Sequence, residues 1–180
     1  MIRITTGTAK NKKLKVPYVE GIRSVQEVSK LAIFAILEEK VLGANCLDLY
    51  AGSGNLGIEA LSRGAKWCDF VDEHPKAVQA VLDNLKNCGF EDKAEVIRKD
   101  AIKYVANTEK KYDLIFVDPF YDNTSHIFLF ENLEEILNPD GSIIFLHGLD
   151  FDLEKNISKT KLQLVTQRKF GKSLFSVLGH

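Results

Sequence analysis

Residues 44–65, ANCLDLYAGSGNLGIEALSRGA, restrict the possible folds more than any other stretch of this chain. An apolar strand-like run meets a glycine-rich turn, and a helical pattern begins at once and ends near Gly64. Four further apolar runs, WCDFVD, AEVI, YDLIFVD and SIIFL, alternate with helical segments. Strands that alternate with helices predict an α/β fold with a mostly parallel, twisted sheet covered by helices on both faces.

The two ends of the chain depart from this alternation. Residues 2–17 are typical of a short β-hairpin with a polar turn. Residues 161–169 and 173–178 predict a closing antiparallel pair at one edge of the sheet. We therefore expect a basic hairpin arm over residues 1–22 and one compact domain over residues 23–180.

A helix is predicted between the hairpin and the first strand of the sheet. Ser24 and Glu27 form a capping box at its start. Apolar residues then recur at helical spacing, namely Val28, Leu31, Ala32, Ala35 and Ile36.

Charge is distributed unevenly along the chain. The whole sequence has a formal net charge of −1, yet residues 1–30 hold seven basic residues against two acidic ones. A basic arm on an otherwise acidic domain suggests an anionic partner at the arm. Lysines that only keep an exposed arm soluble would give the same composition, so charge alone leaves both interpretations open.

Composition also limits the location and the metal chemistry of the protein. No apolar run approaches the length of a membrane-spanning helix, and the N-terminus lacks the apolar stretch of a secretory signal. We expect a cytoplasmic protein without a membrane partner. The three cysteines include no CxxC pair and the four histidines are scattered, so we expect no metal site. Cys46 and Cys68 fit buried, small hydrophobic positions.

The glycine turn (residues 50–54) indicates a nucleotide-containing ligand. Gly52, Gly54 and Gly57 form G-x-G-x-x-G, in which glycine allows positive φ and close approach of the backbone to a ligand. Ligands of open α/β sheets bind beyond the carboxyl ends of the strands, where Asp72 is placed to bind a ribose diol. These residues fit a nicotinamide dinucleotide as well as S-adenosylmethionine (AdoMet).

Two further acids favour AdoMet. Asp48 precedes the glycines inside the strand, where AdoMet enzymes often carry an acid near the methionine ammonium. Asp100 follows the third strand of the sheet, within reach of the adenine amino group. Acids that only cap helices would give the same pattern, so the ordered series is more informative than any single member.

The segment DLIFVDPFYDN, residues 113–123, ends a strand with an acid, a proline and two aromatic residues. This arrangement suits methylation of an amino group conjugated to a ring, which is a poor nucleophile because its lone pair is delocalised. The Asp118 carboxylate and a backbone carbonyl would accept the amine hydrogens, Pro119 would fix the backbone, and Tyr121 would stack on the ring. A simple Asp-Pro turn is the alternative.

These residues resemble the RsmD type of bacterial small-subunit ribosomal RNA guanine-N2 methyltransferases. LDLYAGSGNLGIEALSRGA is similar to the cofactor segment of that family and YDLIFVDPFY to its catalytic strand. RITTG and KNKKLKVP resemble its N-terminal hairpin, and KFGKS resembles a Tyr-Gly-x-Thr element near its C-terminus. The chain departs from the family at Phe120, where the family has a second proline, and at Val28 and Leu31, where it has arginine and glutamate. The resemblance thus indicates a diverged member.

The resemblance implies a Rossmann-like, AdoMet-dependent methyltransferase fold and assigns three sets of residues. The catalytic set is Asp118, Pro119, Phe120 and Tyr121. The cofactor-binding set is Asp48, Tyr50, Ala51, Gly52, Ser53, Gly54, Asp72, Glu73, Asp100 and Ala101. The RNA-binding set is Arg3, Lys10, Lys12, Lys13 and Arg23.

The implied activity is methylation of the exocyclic N2 amine of a guanine in 16S ribosomal RNA. The expected partner is ribosomal RNA or an assembling small ribosomal subunit, bound by a monomer. A DNA adenine-N6 methyltransferase is the alternative enzyme, but the chain has no spare segment long enough for a target-recognition region. A non-catalytic AdoMet- or RNA-binding module and a dinucleotide oxidoreductase are further alternatives, and DPFY argues against both.

Overall fold

The computed structural model describes residues 2–17, 27–119 and 126–180. The strands are β1 (Ile2–Arg3), β2 (Lys13–Leu14), β3 (Asn45–Leu49), β4 (Trp67–Asp72), β5 (Ala94–Arg98), β6 (Tyr112–Val117), β7 (Leu137–Gly148), β8 (Gln163–Phe170) and β9 (Ser173–Gly179). The helices are α1 (Glu27–Leu37), α2 (Asn55–Ser62), α3 (Pro75–Cys88), α4 (Ala101–Val105), α5 (Ile127–Ile136) and α6 (Leu153–Ile157). None of these helices is long and apolar enough to cross a membrane. Four residues of the predictions, Arg23, Ser24, Phe120 and Tyr121, lie outside the described residues.

Strands β3 to β9 form a seven-stranded sheet in the order β5-β4-β3-β6-β7-β9-β8. The first five of these pair in parallel, whereas β9 runs antiparallel to both β7 and β8. The prediction of a mostly parallel sheet with an antiparallel C-terminal edge is therefore confirmed. Strands β1 and β2 form the separate, two-stranded hairpin that was predicted.

Both faces of the sheet are covered, which explains the unbroken apolar sequence of β6. Leu114 and Phe116 point to the face packed by α1, α2, α3 and the hairpin. Ile115 and Val117 point to the face packed by α4, α5 and α6. A strand buried on both faces lacks the alternation of polar and apolar residues that a half-exposed strand shows.

Only part of the apolar spacing predicted for α1 faces the core, where Ala32 and Ile36 are half-buried. Val28 and Leu31 are 63% and 47% exposed. The buried residues of the helix are Ser29, Lys30, Ile33, Phe34 and Leu37. The helix is rotated in this way because Lys30 is paired with Glu59 inside the protein, while the Phe34 ring packs against the ring of Phe116.

The connection between α5 and β7 also differs from the prediction. The apolar run SIIFL predicted a strand that begins at Ser142, but β7 already starts at Leu137. Tyr112 pairs with Leu137 and Leu114 pairs with Ser142, so the register shifts there and the extra residues form an irregular stretch of the strand. Helix α6 was not predicted.

The hairpin is docked along α2 rather than projecting from the domain. An added Cβ at Gly7 would lie 1.7 Å from the carbonyl oxygen of Ser62, so the hairpin loop touches the end of that helix. The backbone N–H of Thr8 donates to the same oxygen at 2.9 Å. Ile4 and Leu14 of the hairpin belong to the hydrophobic core. The predicted boundary at residue 22 lies outside the described residues.

The outer edge of the sheet is irregular. Among the described residues, strand β8 pairs with β9 alone, and its register shifts between Leu164 and Thr166. Val165, at this irregularity, is 65% exposed.

Candidate active site

The carboxyl ends of β3, β4 and β6 bring three predicted acids, Asp48, Asp72 and Asp118, to one edge of the sheet. The Asp48 carboxylate is buried and accepts a hydrogen bond from the Gly57 N–H at 2.9 Å. Burial raises the pKa of Asp48, the bond from Gly57 lowers it, and the nearby Asp118 and Asp72 charges raise it further. In the described part of the chain, no group of three or more His, Cys, Asp or Glu side chains is arranged to hold a metal ion.

The glycine turn has an unusual backbone that Asp72 holds in place. Tyr50, Gly52 and Gly54 all have positive φ, and for a tyrosine this is uncommon. One oxygen of Asp72 accepts from the Gly52 N–H and the other from the His74 N–H, each at 2.9 Å. A carboxylate oxygen has two acceptor positions, so Asp72 retains the capacity to accept from ribose hydroxyls.

The three glycines of G-x-G-x-x-G serve different purposes. An added Cβ at Gly52 would meet no atom closer than 3.9 Å, so this residue leaves open space beside the turn. At Gly54 and Gly57 an added Cβ would lie 3.3 and 2.4 Å from the Phe70 ring. An added side chain at Gly54 would point into the core, and the approach of its backbone to a ligand stays a prediction.

The remaining predicted cofactor residues surround the same edge. Tyr50, Ala51 and Ser53 belong to the turn, and Glu73 is exposed directly after β4. Asp100 follows the neighbouring strand β5 and accepts from the Lys103 N–H at 2.8 Å, so it caps α4. Ala101 is buried at the first position of that helix. The helix-capping contact is thus present at Asp100, and contact with adenine stays a prediction.

Asp118 and Pro119 directly follow β6, next to the glycine turn. The Asp118 N–H donates to the Leu49 carbonyl oxygen at 3.4 Å, which joins the ends of β6 and β3. Asp118 is partly exposed and Pro119 is buried. Removal of water by the surrounding protein raises the pKa of Asp118 to about 7. A carboxyl group with this pKa exchanges its proton near neutral pH, as a catalytic acid or base requires.

The predicted RNA-binding lysines lie on the hairpin, with Lys10 and Lys12 in its loop and Lys13 at the start of β2. Lys10, Lys12 and Lys13 are exposed and form no ion pair with another described residue. Arg3 is also exposed, but its guanidinium pairs with Glu27 at 2.9 Å. The hairpin therefore presents the ammonium groups of Lys10, Lys12 and Lys13 to solvent.

A family model described as Conserved hypothetical protein 95 matches residues 2–179. The chain belongs to this family. The Bacillus subtilis (strain 168) relative named "Putative rRNA methyltransferase YlbH" is 36% identical over 173 residues, which cover 93% of this chain and 92% of the relative. The Escherichia coli (strain K12) protein named "Ribosomal RNA small subunit methyltransferase D" is 33% identical over 118 residues, which cover 66% of this chain and 59% of that protein.

Solved structures of similar proteins give the same result for the fold. The "Putative methyltransferase yhhF" of Escherichia coli has a TM-score of 0.83 at 25% identity and covers 98% of this chain and 96% of its own. The "putative methylase HI0767" of Haemophilus influenzae has a TM-score of 0.81 at 26% identity, with coverage of 98% and 97%. The family match and the named relatives thus confirm the resemblance to RsmD-type methyltransferases and the prediction of a methyltransferase. The solved structures confirm the Rossmann-like fold.

Sequence reasoning missed a buried polar network beside the glycine turn. The side chains of Lys30 and Glu59 are both fully buried and pair at 2.9 Å. Asn84 of α3 is buried as well and binds the backbone of the hairpin and of the turn. A signal for it was present, because Glu59 is the single acid in the otherwise apolar and small sequence of α2.

Proposed function

We propose that this member of the Conserved hypothetical protein 95 family is an AdoMet-dependent RNA methyltransferase. Its proposed target is the exocyclic N2 amine of a guanine in small-subunit ribosomal RNA. The observation that carries the proposal is the Asp118 carboxyl group, held at the end of β6 beside Asp48 and the glycine turn. The rRNA methyltransferases among the relatives support RNA as the substrate.

The residues at the edge of the sheet fit AdoMet. Gly52 leaves open space beside the turn, and the Asp72 carboxylate can accept from a ribose diol without giving up its bonds to the turn. Asp100, after the adjacent strand, would recognise the adenine amino group. When bound, AdoMet supplies a methyl group that its sulfonium already activates toward nucleophilic attack.

Asp118 would act on the amine that receives the methyl group. Its carboxylate accepts a hydrogen bond from the amine, which localises the nitrogen lone pair in the direction of attack. As the new nitrogen–carbon bond forms, the nitrogen must release one proton. The raised pKa of Asp118, about 7, makes it a suitable acceptor for that proton at neutral pH. Tyr121 would stack on the base, and Phe120 takes the place of a proline beside it.

The hairpin would supply affinity for RNA without reading its sequence. Lys10, Lys12 and Lys13 present charges that can neutralise phosphates, while a stacked guanine must leave its neighbours to reach Asp118. Arg3 and Arg23 would extend this contact. We infer that the enzyme acts as a monomer in the cytoplasm, on ribosomal RNA or on an assembling small subunit.

The proposal is tested with ribosomal RNA and 30S particles purified from a strain that lacks this protein. Each substrate is incubated with isotope-labelled AdoMet, and the RNA is digested for nucleoside analysis. We expect label in N2-methylguanosine of the small-subunit RNA. Asp118→Asn should lower the single-turnover rate by about 100- to 1,000-fold, the usual effect of losing one preorganised partner. Label in adenine, or in no nucleoside of either substrate, would refute the proposed function.

A further inference from the structure

Two buried side chains join the hairpin to the glycine turn. On the β1 side, the Lys30 ammonium donates to the carbonyl oxygen of Arg3 at 2.7 Å and to Oδ1 of Asn55 at 2.7 Å. Asn55 is the first residue of α2 and directly follows Gly54. Since the Lys30 side chain is fully buried, water does not compete for these bonds.

Asn84 makes the matching connection on the β2 side. Its Oδ1 accepts from the Lys15 N–H at 2.8 Å, and its Nδ2 donates to the Lys15 carbonyl oxygen at 2.9 Å. The same Nδ2 donates to the carbonyl oxygen of Ser53 at 2.8 Å. The two bridges therefore end on residues 53 and 55, on either side of Gly54.

The body of α2 links the same two regions. Glu59 accepts from the backbone N–H groups of Thr5 and Thr6 at 2.9 and 3.1 Å, and from Lys30 and Arg63 at 2.9 Å each. Burial alone would raise the pKa of Glu59, but the bonds from Thr5 and the charge of Lys30 outweigh it and lower that pKa. Glu59 is therefore ionised and fully bonded at neutral pH, which fixes the hairpin on the helix.

We propose that Lys30 and Asn84 are positioning residues that couple RNA binding at the hairpin to AdoMet binding at the glycine turn. A movement of the hairpin when RNA binds is carried by both bridges to the backbone around Gly54. This inference rests on the proposed function, because it takes RNA as the ligand of the hairpin. By linkage, each ligand raises the affinity for the other by the same factor.

The test measures that factor directly. Calorimetry gives the affinity for S-adenosylhomocysteine with and without the RNA that the protein methylates. The measurement is made on the wild type, on Asn84→Leu and on Lys30→Met. We expect the RNA to raise the affinity of the wild type for S-adenosylhomocysteine by about tenfold, which is within the usual range for coupled sites. In either variant the RNA should raise this affinity by less than about twofold. A loss of folding stability alone would leave this ratio unchanged.

Asn87→Leu is the matched control. Asn87 lies one turn further along α3 and donates to the Lys13 carbonyl oxygen at 3.0 Å, so it contacts the same hairpin as Asn84. This variant should keep the wild-type coupling factor. Equal coupling in the wild type and in Asn84→Leu, or no coupling in a wild type that methylates RNA, would overturn the inference and leave the proposed function intact.

A second measurement needs no RNA. It uses a polar variant of Asn84, in case Asn84→Leu or Lys30→Met does not fold. Hydrogen exchange at the Lys15 amide, which donates to Oδ1 of Asn84, should slow when S-adenosylhomocysteine binds the wild type, because a fixed turn also fixes Asn84. Asn84→Asp keeps an acceptor for Lys15 but cannot donate to Ser53, so it should lose this protection. Protection that persists in Asn84→Asp, or is absent in the wild type, counts against the coupling.

Discussion

Asp118→Asn should make the protein less active and more stable, and the gain in stability should depend on pH. The folded protein holds the Asp118 pKa at about 7, against an ordinary value of 3.8. Between these two values the folded state binds more protons than the unfolded state. The free energy of unfolding of the wild type therefore falls as the pH rises through this window.

The size of the effect follows from the pKa. At 1.36 kcal/mol for each pH unit, holding the ionised carboxylate in its site would cost up to about 4 kcal/mol at pH 8. Asp118 is partly exposed, and solvent screening reduces this to about 2 kcal/mol. Asparagine has nearly the same shape and no charge. The variant should thus exceed the wild type by about 2 kcal/mol at pH 8 and by less than about 1 kcal/mol at pH 5.

Urea unfolding at both pH values measures this difference. The single tryptophan, Trp67, reports the loss of structure, because its indole N–H bonds to the buried Asp69. Asp140→Asn, at an exposed position, is the control and should give equal changes at pH 5 and pH 8. A destabilised Asp118→Asn at pH 8, or a gain that does not vary with pH, would refute the assignment of a desolvated carboxylate at this site.

Three further outcomes are expected. Gly52→Ala and Gly54→Ala should both lower the melting temperature, because both residues have positive φ. Gly52→Ala should also weaken binding of S-adenosylhomocysteine in calorimetry, because its Cβ enters the open space beside the turn, and unchanged binding in this variant would contradict the role assigned to Gly52. Replacing Lys10, Lys12 and Lys13 with alanine should reduce the slope of log affinity against log salt for RNA by about 2, while alanine at the control positions Lys93, Lys99 and Lys103 should not. Glu59→Gln should lower the free energy of unfolding by about 3–5 kcal/mol at pH 7, since it leaves Lys30 buried without its partner. That difference should shrink as the pH falls through the lowered pKa of Glu59, because the wild-type carboxylate then takes up a proton and loses its charge.

The alternation of strands with helices and the edge of the sheet that carries the candidate site were predictable, because both depend on local patterns. The apolar run before Asp118 identified a strand buried on both faces, and the turn at Gly52 identified the edge where the ligands bind. Neither inference required knowledge of which distant residues meet. The sequence also predicted the antiparallel pair at the C-terminus from two neighbouring strand-like segments, residues 161–169 and 173–178.

The orientation of α1 and the roles of the individual glycines were not predictable from local patterns. The spacing of Val28 and Leu31 suggested a buried stripe, but a pair between Lys30 and Glu59 on another helix decided which face turned inward. Likewise, the direction of the missing side chain at Gly54 depends on where Phe70 of β4 lies. Both outcomes depend on contacts between residues that are far apart in sequence, which periodicity does not encode.

The irregular strand β8 has a consequence for how molecules of this protein meet. An exposed, regular edge strand would offer a row of free N–H and C=O groups on which a second molecule could extend the sheet. The register shift beside Val165 interrupts that row, and the exposed Arg168 and Lys169 add like charges along the rest of it. Two copies brought edge to edge would repel each other and could not form a continuous hydrogen-bond ladder. This edge therefore protects the protein against aggregation in which a strand of a second molecule would pair with β8.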